Sequence, residues 1–290
     1  MAHRILVLGA TGKTGTELVR HLSKAGRQAI AAVRNPDAAA SQFAKAGIPL
    51  DAFTMRTFDY CCPHTWEQVL KGVQALYLIA PPKSLGPDPA KSLLDLALSK
   101  DIEHVTMLSG ATTGDVPGSL LYEIEEYVRT LPCKWTILRP SWFMQNMVNW
   151  LGAMIRTEGR FYTPAGTAQT AMIDVRDVVC VAAATFDGKW DHHVLTLTGP
   201  EAINYDTVAR LISVATGTLV NHISLEDDEF QRLMVEEYGW DPGTAAATVD
   251  LFRLVRSGKE ARVTQEVAQV LGRPPKSFRE FARDHRDAWR

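Results

Sequence analysis

Short apolar runs and helix-like stretches alternate along the first half of the chain. The helix-like stretches, of which Ala90–Leu98 and Leu120–Leu131 are the clearest, carry apolar residues at intervals of three and four. Strands that are apolar throughout and alternate with helices are typical of a parallel sheet covered on both faces, and right-handed crossovers then give a doubly wound α/β fold. The predicted strands are Ile5–Leu8, Ala29–Val33, Phe53–Phe58, Ala75–Ile79, Val105–Leu108 and Trp135–Leu138.

In the second half of the chain the pattern changes to mixed short strands and helices. Asp174 has the position of a helix N-cap, and Ser277 with Glu280 has the spacing of a capping box. No repeat, low-complexity tract or long linker separates the two halves. We therefore predict a core domain over residues 1–155 and a smaller substrate-binding α/β portion, residues 156–290, that packs directly on it.

A glycine-rich turn follows the first predicted strand and opens the first predicted helix. Glycines let the backbone turn tightly and approach a ligand closely, and a helix N-terminus offers unpaired N–H groups to a pyrophosphate. Because the required strand and helix are present on both sides, we predict a dinucleotide-binding loop. Its expected cofactor contacts are Gly9, Thr11, Gly12, Lys13, Thr14 and Gly15.

The charge at the end of the second predicted strand indicates which dinucleotide binds. An NAD site usually carries an acidic residue there, whereas this chain carries Arg34. A guanidinium can bind the 2′-phosphate of NADP(H) bidentately, so we expect NADP(H). Lys13 either adds a second positive charge or is an exposed first-turn residue. Asp59, after the third predicted strand, either accepts a hydrogen bond from the adenine amino group or is an ordinary turn residue.

The composition narrows the class of protein. The chain is 46% hydrophobic with a net charge of −2, which is enough apolar material for a core and leaves no electrostatic footprint for nucleic acid or an acidic membrane. No run approaches the roughly 18 apolar residues of a membrane span. The four cysteines lack C-x-x-C spacing and suit a reducing cytoplasm. His192 and His193 have no evident third ligand, so we predict no metal site. The sequence leaves a homodimer open.

Further motifs occur together along nearly the whole chain. As a set, they resemble the NmrA-like family of atypical short-chain dehydrogenases. The resemblance implies an NAD(P)-binding Rossmann fold extended by a smaller C-terminal substrate portion. The family contains NADPH-dependent quinone and alkaloid-type reductases, and also cofactor-sensing proteins. The motifs are Gly9–Gly12, Val33–Pro36, Thr136–Pro140 followed by Phe143 and Asn146, Asp174–Asp177, Leu197–Pro200 and Leu271–Pro275.

The resemblance also implies which residues surround the reacting end of the cofactor. Residues after the fourth strand would adjoin the nicotinamide ribose, and residues after the fifth and sixth strands would surround the nicotinamide and the substrate. Trp142 belongs to an aromatic segment that either lines a small-molecule pocket or packs in the core, and Phe143 has the same alternative. The expected residues are Ala80, Pro81 and Pro82 at the ribose, and Ser109, Pro140, Phe143 and Asn146 at the nicotinamide and substrate.

The residues that would perform catalysis depart from the usual pattern. Short-chain dehydrogenases typically carry Tyr-x-x-x-Lys after the fifth strand, where the ammonium lowers the pKa of the phenol. None of the seven tyrosines has a lysine four residues later, and Tyr122, in about the right region, has Glu126 there. We therefore predict a reductase of electron-poor acceptors, such as quinones, iminiums or enones, with Tyr122 or Ser109 as proton donor. The alternative is a non-catalytic NADP(H) sensor that acts through a protein partner.

Overall fold

A computed structural model describes residues 3–290 of the chain. None of the helices in that range is long and apolar enough to cross a membrane. The strands are β1 Ile5–Val7, β2 Ala29–Val33, β3 Thr54–Thr57, β4 Ala75–Leu78, β5 His104–Leu108, β6 Lys134–Pro140, β7 Arg160–Thr163, β8 His193–Leu197 and β9 Asn221–Ser224. The α-helices are α1 Lys13–Lys24, α2 Pro36–Lys45, α3 Trp66–Leu70, α4 Asp88–Leu98, α5 Leu120–Arg129, α6 Asn146–Asn149, α7 Gly152–Glu158, α8 Val175–Thr185, α9 Tyr205–Thr216, α10 Asp227–Glu236, α11 Pro242–Arg256, α12 Glu266–Leu271 and α13 Phe278–Asp284.

The chain folds as two compact units. The first unit contains the chain up to Pro140, with Val175–Thr196 and Val270–Gly272. It holds a seven-stranded sheet in the order β3-β2-β1-β4-β5-β6-β8, and every pairing from β3 to β6 is parallel. The strand order reverses between β1 and β4. In doubly wound sheets, the crevice at the carboxyl ends of such strands is the usual ligand site.

The predicted fold class is confirmed, and all six predicted strands are present, with no end shifted by more than two residues. The division of the chain differs from the prediction. The first unit ends its continuous stretch at Pro140 rather than at residue 155, and α8 and β8 then return to it. The reason is that α8 packs on α1 while β8 takes the place beside β6 in the sheet. Helix α8 begins directly after Asp174, where the sequence predicts a helix start.

The second unit comprises Ser141–Asp174, Leu197–Gln269 and Arg273–Arg290. Its two strands, β7 and β9, form a small parallel sheet, and its core combines aliphatic side chains with several aromatic ones. The ring of Phe252 lies 5.6 Å from that of Tyr205. The capping box predicted at Ser277 is confirmed, because each residue of the pair, Ser277 and Glu280, accepts the backbone N–H of the other.

The first unit contains a buried histidine that makes its stability depend on pH. His104 on β5 is only 1% exposed, and burial lowers the pKa of its imidazole to about 4, against the opposing charge of Asp191. Because the unfolded chain takes up this proton near pH 6.5 and the folded chain does not, stability falls as the pH drops from 6.5 toward 4. We expect this histidine to cost about 2 kcal/mol of unfolding free energy between pH 7 and pH 4.5.

Urea unfolding of the wild type and of His104→Leu at both pH values measures this contribution. Leucine cannot titrate, and Thr136, the neighbour of the ring, keeps its hydrogen bond to the carbonyl of Trp190. The variant should therefore lose less stability on acidification than the wild type. An equal loss in both proteins would contradict the prediction.

Candidate functional site

The glycine turn is so tight that two of its positions, Gly9 and Gly15, disfavour any residue with a side chain. Gly9 has a φ of +58°, which favours glycine, and its carbonyl accepts the N–H of Gly12 at 2.8 Å. A Cβ on Gly15 would lie 2.7 Å from the Cα of Ala10, and closer still to the carbonyl oxygen of Gly9. Gly15 therefore allows α1 to start directly against the turn.

The N-terminus of α1 is open toward a ligand. Helices α2, α5, α9, α11 and α13 all begin with a side-chain cap. Helix α1 begins at Lys13, and its N-cap residue, Gly12, provides no side-chain cap. Helices α3, α4 and α10 also lack one, but each of them has an acidic residue in its first turn, whereas α1 has none. Lys13 follows Gly12, and partial burial lowers the pKa of its ammonium. A positive helix end without a carboxylate fits the pyrophosphate of a dinucleotide.

Arg34 lies at the end of β2, as predicted, and is exposed. Its guanidinium forms no hydrogen bond or ion pair with any residue in the range 3–290, so all its donors are available. The next residue, Asn35, caps α2 by accepting the N–H of Ala38 at 3.0 Å. Arg34 is thus held between a strand end and a capped helix, a placement that suits a 2′-phosphate.

Asp59 is the second residue after β3 and forms part of a turn. Its Oδ1 accepts the N–H of Cys61 at 2.8 Å, and its carbonyl accepts the indole N–H of Trp66 at 2.9 Å. Asp59 therefore stabilises the turn through one carboxylate oxygen and its backbone carbonyl. Its contact with the adenine amino group stays a prediction.

The segment Ala80–Pro82 follows β4, the neighbour of β1 in the sheet. The turn into this segment is fixed by the phenol of Tyr60, which donates to the carbonyl of Ile79 at 2.7 Å. The side chain of Ile79 lies against Gly9, since a Cβ there would be 3.2 Å from Ile79 Cγ1. The residue that precedes the predicted ribose-binding segment therefore lies against the glycine turn, and the contact of Ala80, Pro81 and Pro82 with the ribose stays a prediction.

Ser109 follows β5 at the same edge of the sheet and belongs to a buried polar cluster. Its hydroxyl donates to Oε1 of Glu125 at 2.5 Å and lies 3.0 Å from the hydroxyl of Thr113. Arg139 on β6 faces the same carboxylate: its Nε lies 2.9 Å from Oε1, and its Nη2 also donates to Oε2. These bonds raise the pKa of the Arg139 guanidinium. Glu125 is completely buried, so the arginine compensates a charge that would otherwise be costly.

The sequence interpretation missed Glu125, although a signal was present. Glu125 falls on the apolar stripe of α5, between Ile124 and Val128. A charged residue on a buried helical stripe requires a partner. The partner here is Arg139. Gly114 leaves space for its guanidinium, because a Cβ on Gly114 would lie 2.7 Å from Nη1 of Arg139.

Tyr122 lies in the first turn of α5 and is partly exposed. Its backbone N–H is capped by Ser119 at 3.3 Å, while its phenol has no hydrogen-bond partner among the described residues. The phenol is therefore free to donate a proton to a ligand. Its catalytic role stays a prediction.

The remaining predicted site residues divide between the two units. Pro140 ends β6 in the first unit, and its carbonyl accepts the N–H of Ala111 at 2.9 Å. In the second unit, Trp142 packs 5.1 Å from the ring of Phe252, and the N–H of Asn146 donates to the carbonyl of Phe143 at 3.0 Å. The substrate contacts of Trp142, Phe143 and Asn146 stay predictions.

Comparison with known proteins identifies the family of this chain. Residues 1–270 match the NmrA-like family. The chain belongs to the NmrA-like family. The resemblance inferred from the motifs is thereby confirmed.

Two relatives of this NmrA-like protein align over almost its whole length. YesF of Bacillus subtilis, named as an oxidoreductase, is 33% identical over 98% of this chain and 96% of its own. The NAD(P)H azoreductase of Xenophilus azovorans is 32% identical over 98% of this chain and 99% of its own. Among solved structures, Citrobacter sp. triphenylmethane reductase complexed with NADP(H) superposes with a TM-score of 0.82 at 22% identity, covering 97% of this chain and 99% of that one. This last likeness shows that the fold is shared.

Proposed function

We propose that this protein is an NADPH-dependent reductase of small, electron-poor acceptors. The observation that carries the proposal is the uncapped start of α1 at a closed glycine turn, with the unpaired guanidinium of Arg34 directly after the neighbouring strand, β2. A pyrophosphate and a 2′-phosphate are the groups that this arrangement fits.

The relatives support a reductase, and the names of two of them are compatible with the proposed kind of acceptor. An azo compound and a triphenylmethane dye are both extended, electron-poor molecules. The azoreductase is 32% identical to this chain, and the triphenylmethane reductase shares its fold. An acceptor of this kind, like a quinone or an iminium, needs little acid assistance. That chemistry is compatible with the missing Tyr-x-x-x-Lys pair.

The cofactor supplies the hydride when bound, and the chain supplies binding and orientation. The glycine turn and α1 hold the phosphates. Arg34 recognises the 2′-phosphate, and the residues after β4 and β5 border the region toward the nicotinamide. Tyr122 supplies a proton where the acceptor requires one. Trp142, Phe143 and Asn146 contact the acceptor.

An NADPH titration followed by an acceptor panel tests the proposal. NADPH affinity is measured first, and NADPH oxidation is then followed by the loss of its absorbance with quinones, cyclic iminiums, enones, azo dyes and triarylmethyl cations. Turnover of any acceptor supports the reductase. Tight NADPH binding without oxidation across the panel would favour the cofactor-sensing alternative, and failure to bind either NADPH or NADH would contradict both.

Tyr122→Phe is expected to separate acceptors that need a proton from those that do not. Neutral enones and quinones take up a proton on reduction, whereas an iminium or triarylmethyl cation becomes neutral with hydride alone. We expect kcat to fall about 100-fold for enones, to fall less for quinones, which are more strongly activated, and to stay unchanged for the cationic acceptors. Tyr127→Phe is the control, because Tyr127 lies on the same helix but donates to Asp95. Equal rates of wild type and Tyr122→Phe with every acceptor would exclude the role.

A homodimer stays a prediction. The second unit carries two strongly exposed apolar side chains, Val214 and Leu219, at 66% and 71% exposure. They line one surface depression together with Arg210 and Asp206. An apolar pair flanked by opposite charges is compatible with a self-complementary contact between two copies.

A further inference from the structure

The hydroxyl of Ser109 has a single proton, and the structure assigns that proton to Glu125. The Ser109 Oγ lies 2.5 Å from Oε1 of Glu125. A carboxylate accepts hydrogen bonds and donates none, so the serine must be the donor in this bond. Ser109 therefore has no proton left for any other partner.

Two arginine side chains also contact the carboxylate of Glu125, which accepts from Arg139 as it does from Ser109. Arg139 donates to both of its oxygens, and Arg129 lies 3.6 Å from Oε2 one helical turn away. Guanidinium groups remain protonated in proteins and only donate. The two arginines thus hold the carboxylate of Glu125 in place, and with it the orientation of the Ser109 hydroxyl.

The second neighbour of Ser109 donates nothing to it. Ser109 Oγ lies 3.0 Å from Thr113 Oγ1, in a geometry in which the serine and not the threonine is the donor. Since the only serine proton is directed to the closer Glu125, Thr113 leaves the lone pairs of Ser109 unused. Among the described residues none donates to Ser109 Oγ, so these lone pairs remain at the carboxyl end of β5, two strands from β1 in the sheet.

We propose that Ser109 acts as a hydrogen-bond acceptor for an N–H group at the cofactor site, and that Glu125 and Arg139 are positioning residues that impose this polarity. The N–H group that NADPH carries at its reacting end is the carboxamide of its nicotinamide. The proposal rests on the proposed function and excludes Ser109 as a proton donor. Tyr122 then remains as the predicted donor.

Cofactor analogues test this polarity without measuring turnover. In 3-acetylpyridine adenine dinucleotide phosphate, a methyl ketone replaces the carboxamide, so the carbonyl is kept and the N–H group is lost. The dissociation constants of NADP⁺ and of this analogue are measured by calorimetry for wild type and variants. Ser109→Ala should lower the preference for NADP⁺ over the analogue by about three- to tenfold, the value of one neutral hydrogen bond.

Glu125→Gln provides the second variant. Arg139 would retain the amide oxygen of glutamine and turn its NH₂ group toward Ser109, which frees the serine proton. The preference for NADP⁺ should fall by a similar factor, because Ser109 then donates and favours the ketone. Thr106→Val is the matched control, since it removes another buried hydroxyl of β5, one that pairs with Thr185, and should leave the preference unchanged.

The outcomes separate this inference from the proposed function. If Ser109→Ala binds both nucleotides and keeps the wild-type preference, the acceptor role is wrong while the reductase proposal stands. If wild type binds neither nucleotide, both are wrong. Should Glu125→Gln fail to fold, Ser109→Ala still decides, because it removes one hydroxyl and leaves the pairing of Glu125 with Arg139 in place.

Discussion

Gly15→Ala is expected to lower NADPH affinity more than about 100-fold, on the scale of the losses that follow a displacement of about 1 Å in a binding group. The reason is geometric. The new Cβ would overlap the backbone of Gly9 and Ala10, so either the turn or the start of α1 must shift. A backbone clash cannot be relieved by rotating a side chain, and the N–H groups that face the pyrophosphate would move apart.

Gly12→Ala is the graded control for this experiment. Its Cβ would lie 3.1 Å from the carbonyl oxygen of Gly9, which a shift of a few tenths of an ångström relieves. Titration with NADPH should show a small loss for Gly12→Ala and a large loss for Gly15→Ala. Melting temperatures of both variants show how much of the loss comes from the fold, since overpacking costs about 1–3 kcal/mol. Normal affinity in a folded Gly15→Ala protein would exclude the glycine turn as the phosphate site.

Arg34→Ala is expected to weaken NADPH binding by about 10- to 100-fold and to leave NADH binding nearly unchanged, since a charge-assisted hydrogen bond contributes about 1.5–3 kcal/mol. The guanidinium has no partner within residues 3–290, so its removal leaves no carboxylate unpaired there. The expected loss therefore comes from the 2′-phosphate alone, which NADH lacks.

The selectivity ratio, measured as the affinity for NADPH divided by that for NADH, is the deciding quantity. Lys24→Ala is the control, because it removes an exposed cation at the last residue of α1, the end opposite the glycine turn. It should keep the wild-type ratio. If Arg34→Ala also keeps it, another residue recognises the 2′-phosphate, and Lys13, next to the turn, becomes the candidate.

The buried strands could be predicted because a parallel sheet imposes a simple pattern. Each of its central strands is covered on both faces, so β2 and β4 are apolar at every position. The glycine turn was predictable for a similar reason, since its conformation depends on a few local residues. Both features are determined by contiguous stretches of sequence.

The Ser109 cluster could not be predicted in this way, because its members come from three elements. Ser109 follows β5, Glu125 lies on α5 and Arg139 lies near the end of β6. Their contact depends on how α5 packs where it connects two adjacent strands. The local spacing of residues does not specify that packing. The return of α8 and β8 to the first unit escaped prediction for the same reason, because no local signal shows which strand β8 will join.

That return affects how the protein is made. The ribosome has to synthesise the chain beyond residue 197 before β8 is available to pair at the edge of the sheet. Until then, β6 is a nascent edge strand with unpaired N–H and C=O groups, which other chains can join. The apolar face of helix α1 that packs on α8 likewise stays uncovered until α8 has been synthesised. Folding of the cofactor-binding unit is thereby delayed until most of the protein has been translated.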